Sequence, residues 1–120
     1  MFYSIKEVSE KLNLPSSKIR YYEKQGLIVN IKRSAGGIRQ FDDHDIQWIF
    51  YISCFLKTGM KLANLRKIVE LGMAGDFTLY QRMEILETHR VELQNRQKDL
   101  DLAKEALKHK LAYYKEKISN

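Results

Sequence analysis

Between Ser16 and Arg39 the sequence gathers side chains suited to gripping an anionic polymer. Ser16, Ser17, Lys18, Arg20, Tyr21 and Lys24 fall in one short run, and Lys32, Arg33 and Arg39 follow on either side of a Ser34–Gly37 turn cluster. A guanidinium offers a planar fork of donors that fits either a phosphate or the edge of a guanine, and the residue type leaves both jobs open for Arg20. Tyr21 and Ser17 add hydroxyl donors. The Gly36-Gly37 pair lets a backbone approach such a polymer closely. Catalytic chemistry has less to work with. Cys54 is the one thiol, and His44, the nearest histidine, lies ten residues before it, about 15 Å away along a helix. His44, His89 and His109 are dispersed, so neither a metal site nor a cofactor is expected, and the chain does not read as an enzyme.

Charge placement supports a polyanion partner. The net charge is +6, and residues 1–41 hold eight Lys and Arg against three acids, whereas residues 76–120 hold nine against eight. The excess therefore belongs to the N-terminal head. With 120 residues and 44% apolar content, one modest core plus an appended element is expected. No run approaches the roughly 18 apolar residues of a membrane span, and the N-terminus lacks the apolar core of a signal peptide, so a cytoplasmic protein without a membrane partner is expected. A single cysteine excludes an intrachain disulfide and fits a reducing compartment.

Several short elements must position these residues. Ser4 and Glu7 form an S-x-x-E capping box that starts a helix ending near Asn13, with Ile5, Val8 and Leu12 on one face. Pro15, Ser16 and Ser17 start a second helix, with serine as cap, that runs to a stop at Gly26. Ile19 and Tyr22 turn toward the core, leaving Lys18, Arg20, Tyr21 and Lys24 outward. The apolar, β-branched run Leu27–Ile31 and the segment Ile38–Phe41 read as the arms of a hairpin, or wing. Asp42 or Asp43 caps a third helix to about Thr58, apolar nearly all round and therefore expected to be covered on several sides. Gly59 breaks it. Leu62, Leu65, Ile68, Val69 and Leu71 line a fourth helix, followed by a Gly72–Gly75 linker.

From Leu79 onward the texture changes to a charged stretch without Gly or Pro. Leu86, Leu93, Leu100, Leu107 and Tyr114 recur every seven residues, and Met83, Leu111 and Ile118 fill the companion seam at its ends. This is a coiled-coil signature, with Arg90, Gln97 and Lys104 making the seam polar at its centre and favouring two strands. A helix about 60 Å long needs a partner helix. The fold class is thus mainly α: a winged helix-turn-helix head over residues 1–75, followed by a long dimerising coiled-coil helix over residues 76–120.

The run I-R-Y-Y-E-K-Q-G-L-I (19–28), K-R (32–33), G-G-I-R-Q-F (36–41), D-I (45–46) and L-K-T-G-M-K-L (56–62) resembles the mercury-resistance regulator (MerR) family across essentially the whole chain. Val29, Ile38 and Phe41 depart from the Pro and Tyr usual there. The resemblance implies an antiparallel coiled-coil homodimer on a palindromic promoter in double-stranded DNA. It also implies bending and untwisting that let RNA polymerase read −35 and −10 elements set unusually far apart. No Cys follows position 54, which excludes a thiolate metal-loop sensor. The stretch W-I-F-Y-I-S-C-F-L-K-T-G-M is similar to a subgroup without a sensor domain that keeps a cysteine here and regulates aldehyde or thiol-stress genes. Cys54 then becomes a sensor thiol for reactive aldehydes or oxidants, with a small core residue as the plain alternative. Two other readings stay open: an effector-independent repressor or architectural DNA-binding protein, and a coiled-coil module that binds a protein.

Overall fold

A computed structural model describes every residue from Met1 to Asn120. Helix α1 (Ile5–Leu12) starts on the expected capping box: the Ser4 hydroxyl accepts from the Glu7 backbone N–H, and the Glu7 carboxylate accepts from the Ser4 N–H. It ends on Asn13 in the left-handed conformation (φ 52°), and the Leu14 N–H reaches back to the Ser9 carbonyl. Asparagine tolerates that conformation, so the turn of the helix-turn-helix needs no glycine. Helix α2 (Ser16–Lys24) follows with Pro15 at its cap position and no side-chain cap, contrary to the expectation that serine caps it. Pro15 sits one place earlier than a capping serine requires, which makes Ser16 the first helical residue.

The C-terminal stop of α2 is a Schellman motif on Gly26 (φ 76°). The Leu27 N–H donates to the Tyr22 carbonyl and the Gly26 N–H to Glu23, while Leu27 and Tyr22 are both buried. The wing is shorter than expected: β1 (Lys32–Arg33) pairs antiparallel with β2 (Arg39–Gln40), Lys32 opposite Gln40 and Arg33 opposite Arg39. Residues 27–31 form no strand, because Leu27 and Ile28 turn into the core and Asn30 adopts φ 59°. Extended pairing gains a further rung from an unexpected source, a two-bond bridge between Tyr3 and Phe41.

Helix α3 (Asp43–Lys57) has its own capping box, Asp42 with Asp45, and closes in a second Schellman motif on Gly59. Its cover is one-sided: Ile49, Ile52 and Ser53 are buried, but Phe50 and Tyr51 are 48% and 40% exposed. The head is too small to surround it. Helix α4 (Leu62–Ala74) continues through the stretch expected as a linker, so Gly72 is helical and only Gly75 interrupts, before a 3₁₀ turn over Asp76–Thr78. Val8, Ile19, Tyr22, Leu27, Phe41, Ile49, Ile52 and Leu65, almost fully excluded from solvent, make the core that α1 to α4 share with the wing.

Helix α5 (Leu79–Ser119) is 41 residues long and unbroken. Its first turns, to Ile85, belong with the head as one compact unit, and Leu86–Asn120 forms the other. In this second unit Leu86, Leu100, Leu107, Leu111 and Tyr114 are 38% to 62% exposed, a leucine-rich seam without cover from its own unit. No helix is long and apolar enough to cross a membrane.

Candidate nucleic-acid interface

Burial of Ile19 and Tyr22 fixes the rotation of α2. With those two side chains in the core, Ser17, Lys18, Arg20, Tyr21 and Lys24 all emerge on the exposed surface, and Ser16 is half-buried at the helix entrance. Three cations and two hydroxyls therefore share the solvent side of one short helix, with Lys18, Arg20, Tyr21 and Lys24 outward as the sequence pattern predicted. The wing lies beside it, because Glu23 of α2 holds Arg39 of β2: the Arg39 Nε–H donates to Glu23 Oε1 at 2.7 Å. Glu23 Oε2 lies 3.7 Å from Arg33 Nη2. Arg33 also donates from Nη1 to the Gly37 carbonyl at 3.1 Å, which closes the wing turn on itself. Gly37 has φ 80°, a conformation that favours glycine, and its N–H donates to the Ser34 carbonyl. Lys32 Nζ stands 5.2 Å from the centre of the Phe2 ring, a cation–π contact that draws the N-terminal residues to the wing.

The structure thus places Arg33 and Arg39 together, but in ion pairs rather than free. Arg39 is only 28% exposed and its Nε–H is committed to Glu23. Sequence reading missed Glu23, since an acid in a basic run gives no sign of pairing until the register of the hairpin is known. Two further anchors went unseen. The Trp48 indole N–H of α3 donates to the Leu27 carbonyl at 2.8 Å, and Arg66 of α4 donates from Nε to the Gln25 carbonyl at 2.7 Å and from Nη2 to the Gln25 side chain. Both hold the C-terminal end of α2.

Cys54 sits half-buried on α3 as a free thiol. Its carbonyl accepts from the Thr58 hydroxyl at 2.9 Å, and one turn earlier Tyr51 stacks on Phe55, with ring centres 6.1 Å apart. Tyr51 and Thr58 thus lie about one helical turn to either side of it along α3. His44 is on the same helix, close to Asp42 and Asp45, with donor atoms within 4.8 Å of one another. Those two carboxylates already serve the α3 cap. The backbone N–H of Asp45 holds the Asp42 carboxyl below the usual aspartate range, while burial raises that of Asp45.

Comparison with known proteins agrees with this geometry. The chain matches the MerR HTH family regulatory protein pattern over residues 3–71. It is 31% identical over 114 residues to an uncharacterised HTH-type transcriptional regulator of Haemophilus influenzae, covering 95% of this chain and 84% of the relative. It is 37% identical over 90 residues to the HTH-type transcriptional regulator AdhR of Bacillus subtilis, covering 75% of this chain and 64% of AdhR. Among solved structures, HiNmlR, a MerR family regulator lacking the sensor domain and bound to promoter DNA, superposes with a TM-score of 0.88 at 30% identity, covering 97% of this chain and 92% of that one. The chain belongs to the MerR family of helix-turn-helix regulators, and is a DNA-binding transcription regulator rather than an enzyme.

Proposed function

We propose that the protein is a cytoplasmic homodimer that binds double-stranded promoter DNA through α2 and the wing, distorts a promoter with a long spacer, and so governs its use by RNA polymerase. The carrying observation is the outward face of α2. Ser17, Lys18, Arg20, Tyr21 and Lys24 are exposed on the helix that a helix-turn-helix inserts into the major groove, while Ile19 and Tyr22 anchor it from behind. Arg20 is the base reader or principal phosphate clamp, with Ser16, Ser17 and Tyr21 supplying hydroxyls near the helix entrance and Lys18 and Lys24 meeting phosphates. Lys32 and Arg33 extend the basic surface along the wing, and Arg39 supports it from within its ion pair. Dimerisation runs through Leu86, Leu93, Leu100, Leu107, Leu111 and Tyr114. The likeness to a promoter-bound regulator without a sensor domain supports the DNA partner, and the exposed leucine seam of α5 supports the paired state.

Cys54 is the trigger in this reading. Reactive aldehydes or oxidants modify its half-buried thiol, add bulk beside the Tyr51–Phe55 stack, and shift the head between two packings. The response needs no change in affinity, because a ligand or adduct acts through its differential interaction with two states. In vitro transcription with purified polymerase, with and without formaldehyde or methylglyoxal, tests both layers at once. Arg20→Ala should abolish regulation by losing the promoter. Cys54→Ser should still dimerise and bind DNA but lose the response to electrophile. A Cys54→Ser protein that responds as strongly as the parent makes Cys54 a core residue. What would then remain is the effector-independent repressor or architectural protein.

A further inference from the structure

Glu23 is an acid on the surface that meets phosphates, and its charge there opposes binding. A carboxylate in that position must contribute something other than attraction. The wing it touches has strands of two residues each, too short to hold a fixed place by pairing alone. Its turn is closed internally by Arg33 on the Gly37 carbonyl and by Ser34, whose carbonyl and hydroxyl accept from the Gly37 and Ile38 N–H groups. Those bonds shape the wing but do not attach it to α2. The attachment comes from the two Glu23 oxygens: Oε1 takes the Arg39 Nε–H at 2.7 Å, and Oε2 faces Arg33 at 3.7 Å. Glu23 and Arg39 are partly withdrawn from water, at 26% and 28% exposure, so their pair is less screened than one on an open surface, whereas Arg33 is 45% exposed.

We propose that Glu23 sets the position of the wing relative to the recognition helix, and that Arg39 is a positioning residue acting through it rather than a phosphate contact. Glu23 substitutes for a phosphate in the free protein. It fixes the distance between the base-reading face of α2 and the wing tip, and leaves Lys18, Arg20, Lys24 and Lys32 as the cations that neutralise DNA. Specific binding therefore depends on an acid, whereas binding to arbitrary sequence is weakened by it.

This inference rests on the assignment of α2 and the wing to DNA, and the experiment separates the two. The parent, Glu23→Gln, Arg39→Ala, the double variant and Arg20→Ala are titrated against a duplex selected from a random pool with the parent protein, and against a scrambled duplex of the same composition, over a series of salt concentrations. Glu23→Gln should bind the scrambled duplex more tightly and with a steeper salt dependence, since released guanidinium groups become free to displace counterions. On the selected duplex it should bind roughly tenfold more weakly, the scale of one lost recognition contact. Adding Glu23→Gln to Arg39→Ala should cost nothing further there, because both break the same link. A merely structural ion pair would alter thermal stability without this opposite movement on the two duplexes. Equal tightening on both duplexes, or additive losses in the double variant, overturns the role of Glu23 while Arg20→Ala still loses the selected site. If Arg20→Ala loses nothing, the DNA-facing assignment falls as well.

Discussion

Truncating Leu93 and Leu100 to alanine should dissolve the proposed dimer. In a single chain Leu100 is 55% exposed and Leu93 half-buried, although both lie in the middle of a leucine-rich seam on a 41-residue helix. Only a second helix along that seam removes them from water. A Leu→Ala change at a buried site costs about 2 to 5 kcal/mol. The double substitution enters both protomers, so four side chains are shortened, and the lower bound alone gives about 8 kcal/mol. At about 1.4 kcal/mol per factor of ten, that weakens association nearly a millionfold, enough to turn a nanomolar dimer into a millimolar one. Sedimentation velocity at micromolar protein should show monomers, with reduced helicity by circular dichroism because the polar remainder of α5 cannot hold itself as an isolated helix. Leu102→Ala is the control: at 70% exposure and off the seam, it should leave the dimer intact. Retention of a tight dimer in the double variant would place the interface elsewhere and refute the argument from the heptads.

Two smaller perturbations probe the head. Trp48→Phe removes the indole donor to the Leu27 carbonyl, and leaving that acceptor unpaired should cost about 1 to 3 kcal/mol in urea unfolding; an unchanged midpoint would mean that water replaces the indole freely. Asp42→Ala should cost about 1 kcal/mol at neutral pH through loss of the α3 cap. Because the folded state depresses the Asp42 carboxyl, its contribution is complete above the ordinary aspartate range and is lost as pH falls through the folded value, so parent and variant should converge in acid. A gap that widens in acid would show that the carboxylate is not the capping form.

The elements readable from sequence were those whose signals are local. Ser4 with Glu7 and Gly26 after Lys24 mark boundaries through bonds a few residues long, and the seven-residue leucine repeat identifies α5 without reference to the head. Errors arose where a distant partner decides. Leu27–Ile31 has the composition of a strand, but the core claims Leu27 and Ile28 before pairing can begin. Gly72 looked like a linker because glycine disfavours helix, yet the Leu65 and Ile68 contacts carry α4 past it. The outward residues of α2 followed from the helical period once Ile19 and Tyr22 were assigned inward. Glu23 to Arg39, Gln25 to Arg66 and Leu27 to Trp48 span 16, 41 and 21 residues, and nothing in composition announces any of them.

Those three pairings share a feature that bears on signalling: all of them hold the C-terminal half of α2 or the three residues that follow it. At the other end, Pro15 brings no side-chain cap, and Ser16 and Ser17 begin the helix directly. The three pairings hold α2 in and beyond its C-terminal half, and no side-chain cap occupies the end proposed to face DNA, where backbone N–H groups and the helix dipole favour phosphate. Those bonds, together with the buried Ile19 and Tyr22, set its direction. Trp48 belongs to α3, the helix that carries Cys54, and Arg66 belongs to α4. A modification at Cys54 that turns α3 must carry the Trp48 indole with it, and so must either displace Leu27 and the end of α2 or break the 2.8 Å hydrogen bond. Either outcome changes the surroundings of the single tryptophan. Its fluorescence should therefore shift on electrophile treatment in the parent and stay constant in Cys54→Ser, and a constant signal in both would separate the thiol from the recognition helix.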